Sequence, residues 1–76
     1  MGNPSIVRLE HADFGAIVPV IAHAVAVFGD EHKATHWLST PLEILEGRTP
    51  TEILQTPGGA ARIETILTRI EHNIAS

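Results

Sequence analysis

The apolar positions of this chain recur at helical spacing in two long stretches. In the first, from Asp13 to Phe28, they are separated by three, one, three, one and three residues: Ile17, Val20, Ile21, Ala24, Val25 and Phe28. After Pro57 the same pattern continues to the end of the chain: Ala60, Ile63, Ile66, Leu67, Ile70 and Ile74. Spacings of three and four residues place side chains on one face of a helix, so both stretches are predicted to be amphipathic helices.

Helix-breaking and helix-capping residues set the predicted boundaries of the first two helices. Pro19 is unfavourable deep inside a helix, which predicts that the regular part of the first helix begins near Val18. Gly29 is a suitable C-terminal break, and Asp30 is a suitable N-cap for a second helix that runs to about Ser39. This second helix carries one apolar stripe, formed by Ala34, Trp37, Leu38 and Pro41.

Two near-copies of one hexapeptide follow, TPLEIL at 40–45 and TPTEIL at 49–54. In each copy the Thr is a predicted N-cap, the Pro occupies the first helical position, and the Glu completes a capping box. The Ile and Leu that end each copy require a core, and Gly47 is the predicted stop of the first copy. Both copies are therefore expected to form short, capped helical turns.

No segment alternates apolar and polar residues over the length of a strand, so the predicted fold class is all-α. We expect a small compact bundle of about four to five helices, two of them short, with a long C-terminal helix. Residues 1–12 are predicted to be a flexible lead-in, and residues 13–76 a single helical domain. The residues expected in its core include Trp37, Leu54, Leu67 and Ile70. A chain of 76 residues buries little apolar surface, which also allows a homo-oligomer.

Composition narrows the function classes. Nine acidic and five basic side chains give a net charge of −4, which disfavours binding to nucleic acid phosphates. No run approaches the roughly 18 apolar residues of a membrane span, and no secretory signal is visible, so we expect a cytoplasmic protein with no membrane partner. The chain has no Cys, which excludes disulfides and thiol chemistry.

Candidate chemistry is sparse. His32 and His36 have i, i+4 spacing but lack a third ligand, so no metal site is predicted, and the pair is expected to be solvated. His23 is expected to be a partly buried histidine in an Ala-rich helix. The Asp and Glu side chains are interpreted as caps or scattered surface charges. We find no nucleophile motif and no phosphate loop, so neither an enzyme nor a cofactor is predicted. Helix 30–39 offers only Lys33 for a recognition helix, which argues against nucleic acid binding by this chain alone.

The order of several short motifs resembles the toxin-binding domain of Xre/MbcA/ParS-type antitoxins. The matching residues span about 20–74: Phe28-Gly29-Asp30, Trp37-Leu38, Gly47-Arg48-Thr49-Pro50, Ile53-Leu54, Thr56-Pro57-Gly58-Gly59, Ile66-Leu67 and Arg69-Ile70-Glu71. Asn73 stands where the family usually has Gly, and the left-handed helix cap that Gly provides also tolerates Asn. Many relatives carry an N-terminal DNA-binding domain. Only about twenty residues precede the matched region here, so the repressor role is not carried over.

The resemblance implies an antitoxin that binds and silences a RES-domain toxin, an enzyme that consumes NAD. It also implies a C-terminal tail, residues 72–76, that projects from the last helix and obstructs the toxin's active site. The residues expected to contact the toxin are Arg62, Arg69, His72, Asn73, Ile74, Ala75 and Ser76. Two alternatives stay open: a generic helical interaction or dimerisation module without a toxin partner, and a small DNA-binding regulator.

Overall fold

A computed structural model describes residues 14–75, and within this range the chain folds into four α-helices and one short 3₁₀ helix. The helices are α1 (Phe14–Phe28), α2 (Glu31–Leu38), α3 (Pro50–Leu54) and α4 (Gly59–Ala75), and the 3₁₀ helix spans Glu43–Leu45. The all-α prediction, with two short elements and a long C-terminal helix, is confirmed. The predicted flexible lead-in, residues 1–12, lies outside the described residues.

The helices pack around one small aliphatic core. The long helices α1 and α4 contact each other, α2 packs on α1, and α3 packs on α4 and α2. Every helix, including the 3₁₀ helix, contributes at least one buried apolar side chain: Val20, Ala24, Ala34, Leu38, Leu45, Ile53, Leu54, Ile63 and Leu67. Contacts with both α1 and α3 fix the orientation of α4 in the domain.

Several of the predicted core positions lie at the margin of this core or outside it. Trp37 and Ile70 are half-buried, and the Trp37 ring packs at a tilt against Phe28 with centroids 5.4 Å apart. Ile21 and Pro41 are exposed. The apolar stripes of α1 and α2 are therefore wider than the surface that their neighbours cover, which periodicity alone does not show.

The chain is already helical at Phe14, the first described residue, so the predicted start of the regular helix near Val18 is wrong. Pro19 lies inside α1, where its ring nitrogen cannot donate to the carbonyl of Gly15. Gly15 is exposed, so water can solvate that carbonyl, and the burial of Val20 and Ala24 one turn later favours the continuous helix. The predicted end is confirmed, because Gly29 has φ +78° and donates its N–H to the Val25 carbonyl at 2.7 Å.

The two hexapeptides adopt different structures although five of their six residues are identical. The second copy forms the predicted capping box. Thr49 Oγ1 accepts from the Glu52 N–H at 3.1 Å, the Glu52 carboxylate accepts from the Thr49 N–H at 2.8 Å, and Pro50 opens α3. These bonds from Thr49 lower the pKa of the Glu52 carboxyl, because they stabilise its ionised form.

The capped helix predicted for the first copy is not formed. The Thr40 N–H already donates to the Trp37 carbonyl at 3.1 Å, and the Thr40 hydroxyl donates to the His36 carbonyl at 2.6 Å. Both groups are bound to the end of α2, so the Thr40 N–H has no hydrogen left to donate to Glu43 in a capping box. The 3₁₀ helix starts later, with Leu42 as its N-cap and no side-chain cap, and ends at Glu46 in the left-handed conformation before Gly47.

This difference predicts unequal effects of removing the two Thr side chains. Thr49→Ala leaves the Glu52 N–H without its side-chain acceptor, and we expect a loss of about 1 kcal/mol in the free energy of unfolding. For a domain of this size that corresponds to a fall of about 4–8 °C in melting temperature. Thr40→Ala removes only an exposed hydroxyl bond to a helix end and should lower the melting temperature less. Equal shifts in thermal melts of the two variants would contradict this assignment of the caps.

Candidate partner-binding site

The outward face of α4 carries most of the residues predicted to contact a partner. Its inward face holds Ile63 and Leu67, which are fully buried. On the opposite side, a shallow open groove runs along the second half of the helix and is lined by Glu64, Thr65, Thr68, Arg69, His72 and Asn73. Three predicted contact residues, Arg69, His72 and Asn73, are thereby brought together on one exposed surface.

Arg62 lies apart from those three residues. It is in the first turn of α4, about 15 Å along the helix axis from His72 at the usual rise per residue. Its Nη2 atom donates to the backbone carbonyl of Ile44, in the 3₁₀ helix, at 3.3 Å. The predicted contact surface therefore has two ends, one at the C-terminus of α4 and one where α4 meets the 3₁₀ helix.

The predicted projecting tail is instead the last turn of α4. The helix continues to Ala75, and Asn73 lies within it rather than closing it in a left-handed conformation, which among residues 14–75 only Glu46 and three glycines adopt. No Gly or Pro follows to interrupt the backbone hydrogen bonding. Ile74, predicted to continue the core-facing stripe, is 65% exposed. Only the backbone of Ala75 is described, and Ser76 lies outside the described residues.

A charged cluster that the sequence analysis missed joins α1 to α4. His23 Nδ1 lies 2.5 Å from Glu64 Oε1, and His23 Nε2 lies 3.0 Å from Glu71 Oε1. The hydrogen bond to Glu64, followed by that to Glu71, raises the pKa of His23, because both bonds stabilise the protonated ring. The expected half-buried His23 is confirmed, but the interpretation of Glu64 and Glu71 as scattered surface charges is wrong.

One signal in the sequence could have revealed this cluster. Glu64 and Glu71 are seven residues apart, which places them on nearly the same side of a helix, and each directly follows an apolar position. Carboxylates at the edge of an apolar stripe lie beside the helix that covers the stripe. His23 occupies the corresponding edge of α1.

The cluster predicts a pH dependence of stability that belongs to His23. Because its pKa in the folded state is raised above the ordinary value of 6.5, the stabilisation is fully present below 6.5 and is lost as the pH rises through the higher folded value. We expect the melting temperature to exceed that of the His23→Gln variant by more at pH 6 than at pH 8.5.

The parent and His23→Gln both retain the other histidines, so the difference between their melting temperatures at each pH reports on His23. A difference in melting temperature that is constant from pH 6 to pH 8.5 would contradict the role of protonated His23. The matched control is His32→Gln, which replaces an exposed histidine on α2. The difference in melting temperature between the parent and this variant should not decrease from pH 6 to pH 8.5.

The described residues offer little to other kinds of site. Between residues 14 and 75 no group of three or more His, Asp or Glu side chains is placed to hold a metal ion. His32 and His36 are both exposed, as predicted. None of the four α-helices is long and apolar enough to cross a membrane. The surface of α4 is thus the part of the described chain whose geometry points to a function.

Comparison with known proteins points to one family. A family model described as "Antitoxin Xre/MbcA/ParS C-terminal toxin-binding domain" matches residues 23–72. Two similar proteins are named "Antitoxin Xre": that of Photorhabdus laumondii is 42% identical and that of Yersinia enterocolitica 40% identical, each over 60 residues. Each alignment covers 78% of this chain and 40% of the relative.

A third protein named "Antitoxin Xre", from Pseudomonas putida, is 43% identical over 51 residues, covering 67% of this chain and 32% of the relative. The chain thus aligns with well under half the length of these relatives. No solved structure matches. The matched residues 23–72 extend from the middle of α1 almost to the end of α4, so they include every buried core residue except Val20.

Proposed function

Since the chain belongs to the family of Xre/MbcA/ParS antitoxin C-terminal toxin-binding domains, we propose that it binds and inhibits a protein toxin as the toxin-binding part of a type II toxin–antitoxin pair. The partner we propose is a RES-domain toxin that consumes NAD. In this role the chain is a cytoplasmic inhibitor and not an enzyme. The observation that carries the proposal is α4 itself, whose outward face is exposed and whose last turn carries an exposed apolar side chain, Ile74.

The inhibition we propose uses the end of α4 as a plug. Arg69 and His72 are exposed on the last two turns, and Ile74 presents a largely exposed aliphatic side chain beyond them. Ligand pockets are concave, largely apolar and contain a few polar groups, so an apolar side chain followed by polar ones suits the mouth of such a pocket. The last turn of α4, with Asn73, Ile74 and Ala75, and the following residue Ser76 would then occupy the entrance through which NAD reaches the toxin.

A helix is better suited to this task than a loose tail would be. A disordered segment loses conformational entropy when it binds, whereas the last turn of α4 is already ordered through Ala75. The orientation of α4 is fixed by its packing on α1 and α3 and by the His23 contacts to Glu64 and Glu71. We therefore propose that the rest of the domain serves to hold α4 in a fixed orientation toward the toxin.

The test uses a purified RES-domain protein, and the genes next to that of this chain are the first place to search for it. The purified toxin is incubated with NAD, and NAD loss is followed with and without the chain in molar excess. We expect stable binding and preservation of NAD. Binding without preservation of NAD would favour the generic interaction module, and no binding would overturn the proposal.

A further inference from the structure

The two hexapeptides differ in how they bury their isoleucines. In the second copy Ile53 and Leu54 are both buried in the core. In the first copy Leu45 is buried, but Ile44 is 55% exposed on the 3₁₀ helix. The sequence predicts a core position for both isoleucines, so the exposure of Ile44 departs from that prediction. Ile44 is one of four large apolar side chains that are exposed in the described part of the chain.

The backbone around Ile44 is fixed in place. The Leu42 N–H donates to the Arg48 carbonyl at 3.0 Å, and the Gly47 N–H donates to the Leu42 carbonyl at 2.9 Å, which closes the segment on itself. Glu46 has φ +59°, an unfavourable conformation for a residue with a side chain, which persists only where its surroundings hold it. With Leu45 anchored in the core, Ile44 is presented outward by a rigid turn.

Arg62 connects this turn to α4. Its guanidinium donates one hydrogen bond to the Ile44 carbonyl at 3.3 Å, which places a positive charge beside the exposed isoleucine. A guanidinium carries several N–H donors, so the others can still reach a carboxylate on a partner. Glu43 and Glu46 are exposed on the same turn and need to remain solvated. An apolar centre next to an arginine, with a polar rim, is the composition typical of an energetically important contact point in a protein interface.

We propose that Ile44 and Arg62 form a second contact point for the toxin, distinct from the C-terminal turn of α4. The occupant is a shallow apolar pocket on the toxin surface, with a carboxylate beside it that pairs with Arg62. This inference rests on the proposed function, because both contact points lie on elements joined through α4. Ile44 and Arg62 contribute to the affinity for the toxin, whereas the end of α4 blocks the toxin's active site.

The experiment measures the Kd of the same RES-domain protein for four versions of the full chain by calorimetry. They are the parent, Ile44→Ala, Arg62→Met, and the control Val18→Ala. Val18 is 67% exposed on α1, so this control removes a comparably exposed apolar side chain elsewhere on the surface. Circular dichroism melts verify that each variant folds, which the exposure of the altered side chains leads us to expect.

We expect Ile44→Ala to raise the Kd about tenfold or more, in the range of important interface residues, and Val18→Ala to leave it unchanged. Arg62→Met retains the apolar part of the side chain and should weaken binding several-fold while reducing its dependence on salt. Parent-like binding by Ile44→Ala would overturn the second contact point and leave the proposed function standing. If the parent itself does not bind the toxin, both proposals fail.

Discussion

Gly59→Ala is expected to abolish cooperative folding of the domain. A Cβ atom at this position would lie 1.7 Å from the carbonyl oxygen and 2.6 Å from the carbonyl carbon of Ile53, both of which are backbone atoms. The obstruction cannot be relieved by rotating a side chain. Gly59 is buried at the first position of α4, immediately after the turn that brings α4 back against α3. Adding the methyl group therefore requires α3 and α4 to separate.

The magnitude follows from the size of the domain. Overpacking typically costs about 1–3 kcal/mol, and more where backbone must move. A domain of this length rarely has more than about 3–5 kcal/mol of stability from its core. A thermal melt followed by circular dichroism should thus show no cooperative transition, or one lowered by well over about 10 °C.

Gly15→Ala is the matched control. The same added Cβ would meet nothing within 4 Å there, and Gly15 lies in the first turn of α1 with no positive φ. Alanine is the better helix former by roughly 0.5–1 kcal/mol, so this variant should melt slightly higher than the parent. If Gly59→Ala melts like Gly15→Ala, the close approach of α3 to α4 is not as the structure has it.

Deleting residues 73–76 is expected to separate toxin binding from toxin inhibition. The deletion removes the end of α4 but no buried side chain among the described residues, since Asn73 and Ile74 are exposed. The helical signal and melting temperature should stay close to those of the parent. The truncated chain should still bind the RES-domain toxin, more weakly, but should no longer prevent NAD loss. The assay is NAD consumption with parent or truncated chain in excess.

The control for this deletion is Ile74→Ala in a chain of full length. It keeps the last turn of α4 and removes the exposed aliphatic side chain, so it distinguishes an apolar plug from simple bulk at the pocket entrance. Full inhibition by the truncated chain would contradict occlusion by the end of α4. It would favour coverage of the toxin by the helical face around Arg62 and Arg69.

The sequence correctly predicted those helices whose capping groups and their hydrogen-bond partners lie within a few residues of each other in the chain. The Asp30 carboxylate accepts from the His32 N–H at 3.1 Å, as an N-cap should, and the Thr49 capping box opens α3. The groups that form these caps are neighbours along the chain, so their partners can be identified without knowing the fold. The same holds for Gly29, whose left-handed conformation ends α1.

The features that the sequence analysis missed depend on contacts between residues far apart in the chain, or on groups that already form hydrogen bonds to another element. Thr40 resembles Thr49 in its own hexapeptide, but its donors are bound to carbonyls of α2. Ile74 continues an apolar stripe, yet it is left mostly uncovered at the end of α4. The contacts of His23 to Glu64 and Glu71 span 41 and 48 residues. None of these three features can be read from a stretch of sequence as short as one helix.

His23, Glu64 and Glu71 also give complex formation a thermodynamic signature. Glu64 and Glu71 lie on α4, the helix on which we propose that the toxin docks. Any partner that draws either carboxylate away from His23 lowers the pKa of His23, and the ring releases protons. Near neutral pH the observed heat of association would then vary with the ionisation enthalpy of the buffer. A partner that leaves the cluster in place would release no protons from His23. A buffer dependence that the parent shows and His23→Gln lacks therefore reports that binding disturbs the contact between α1 and α4.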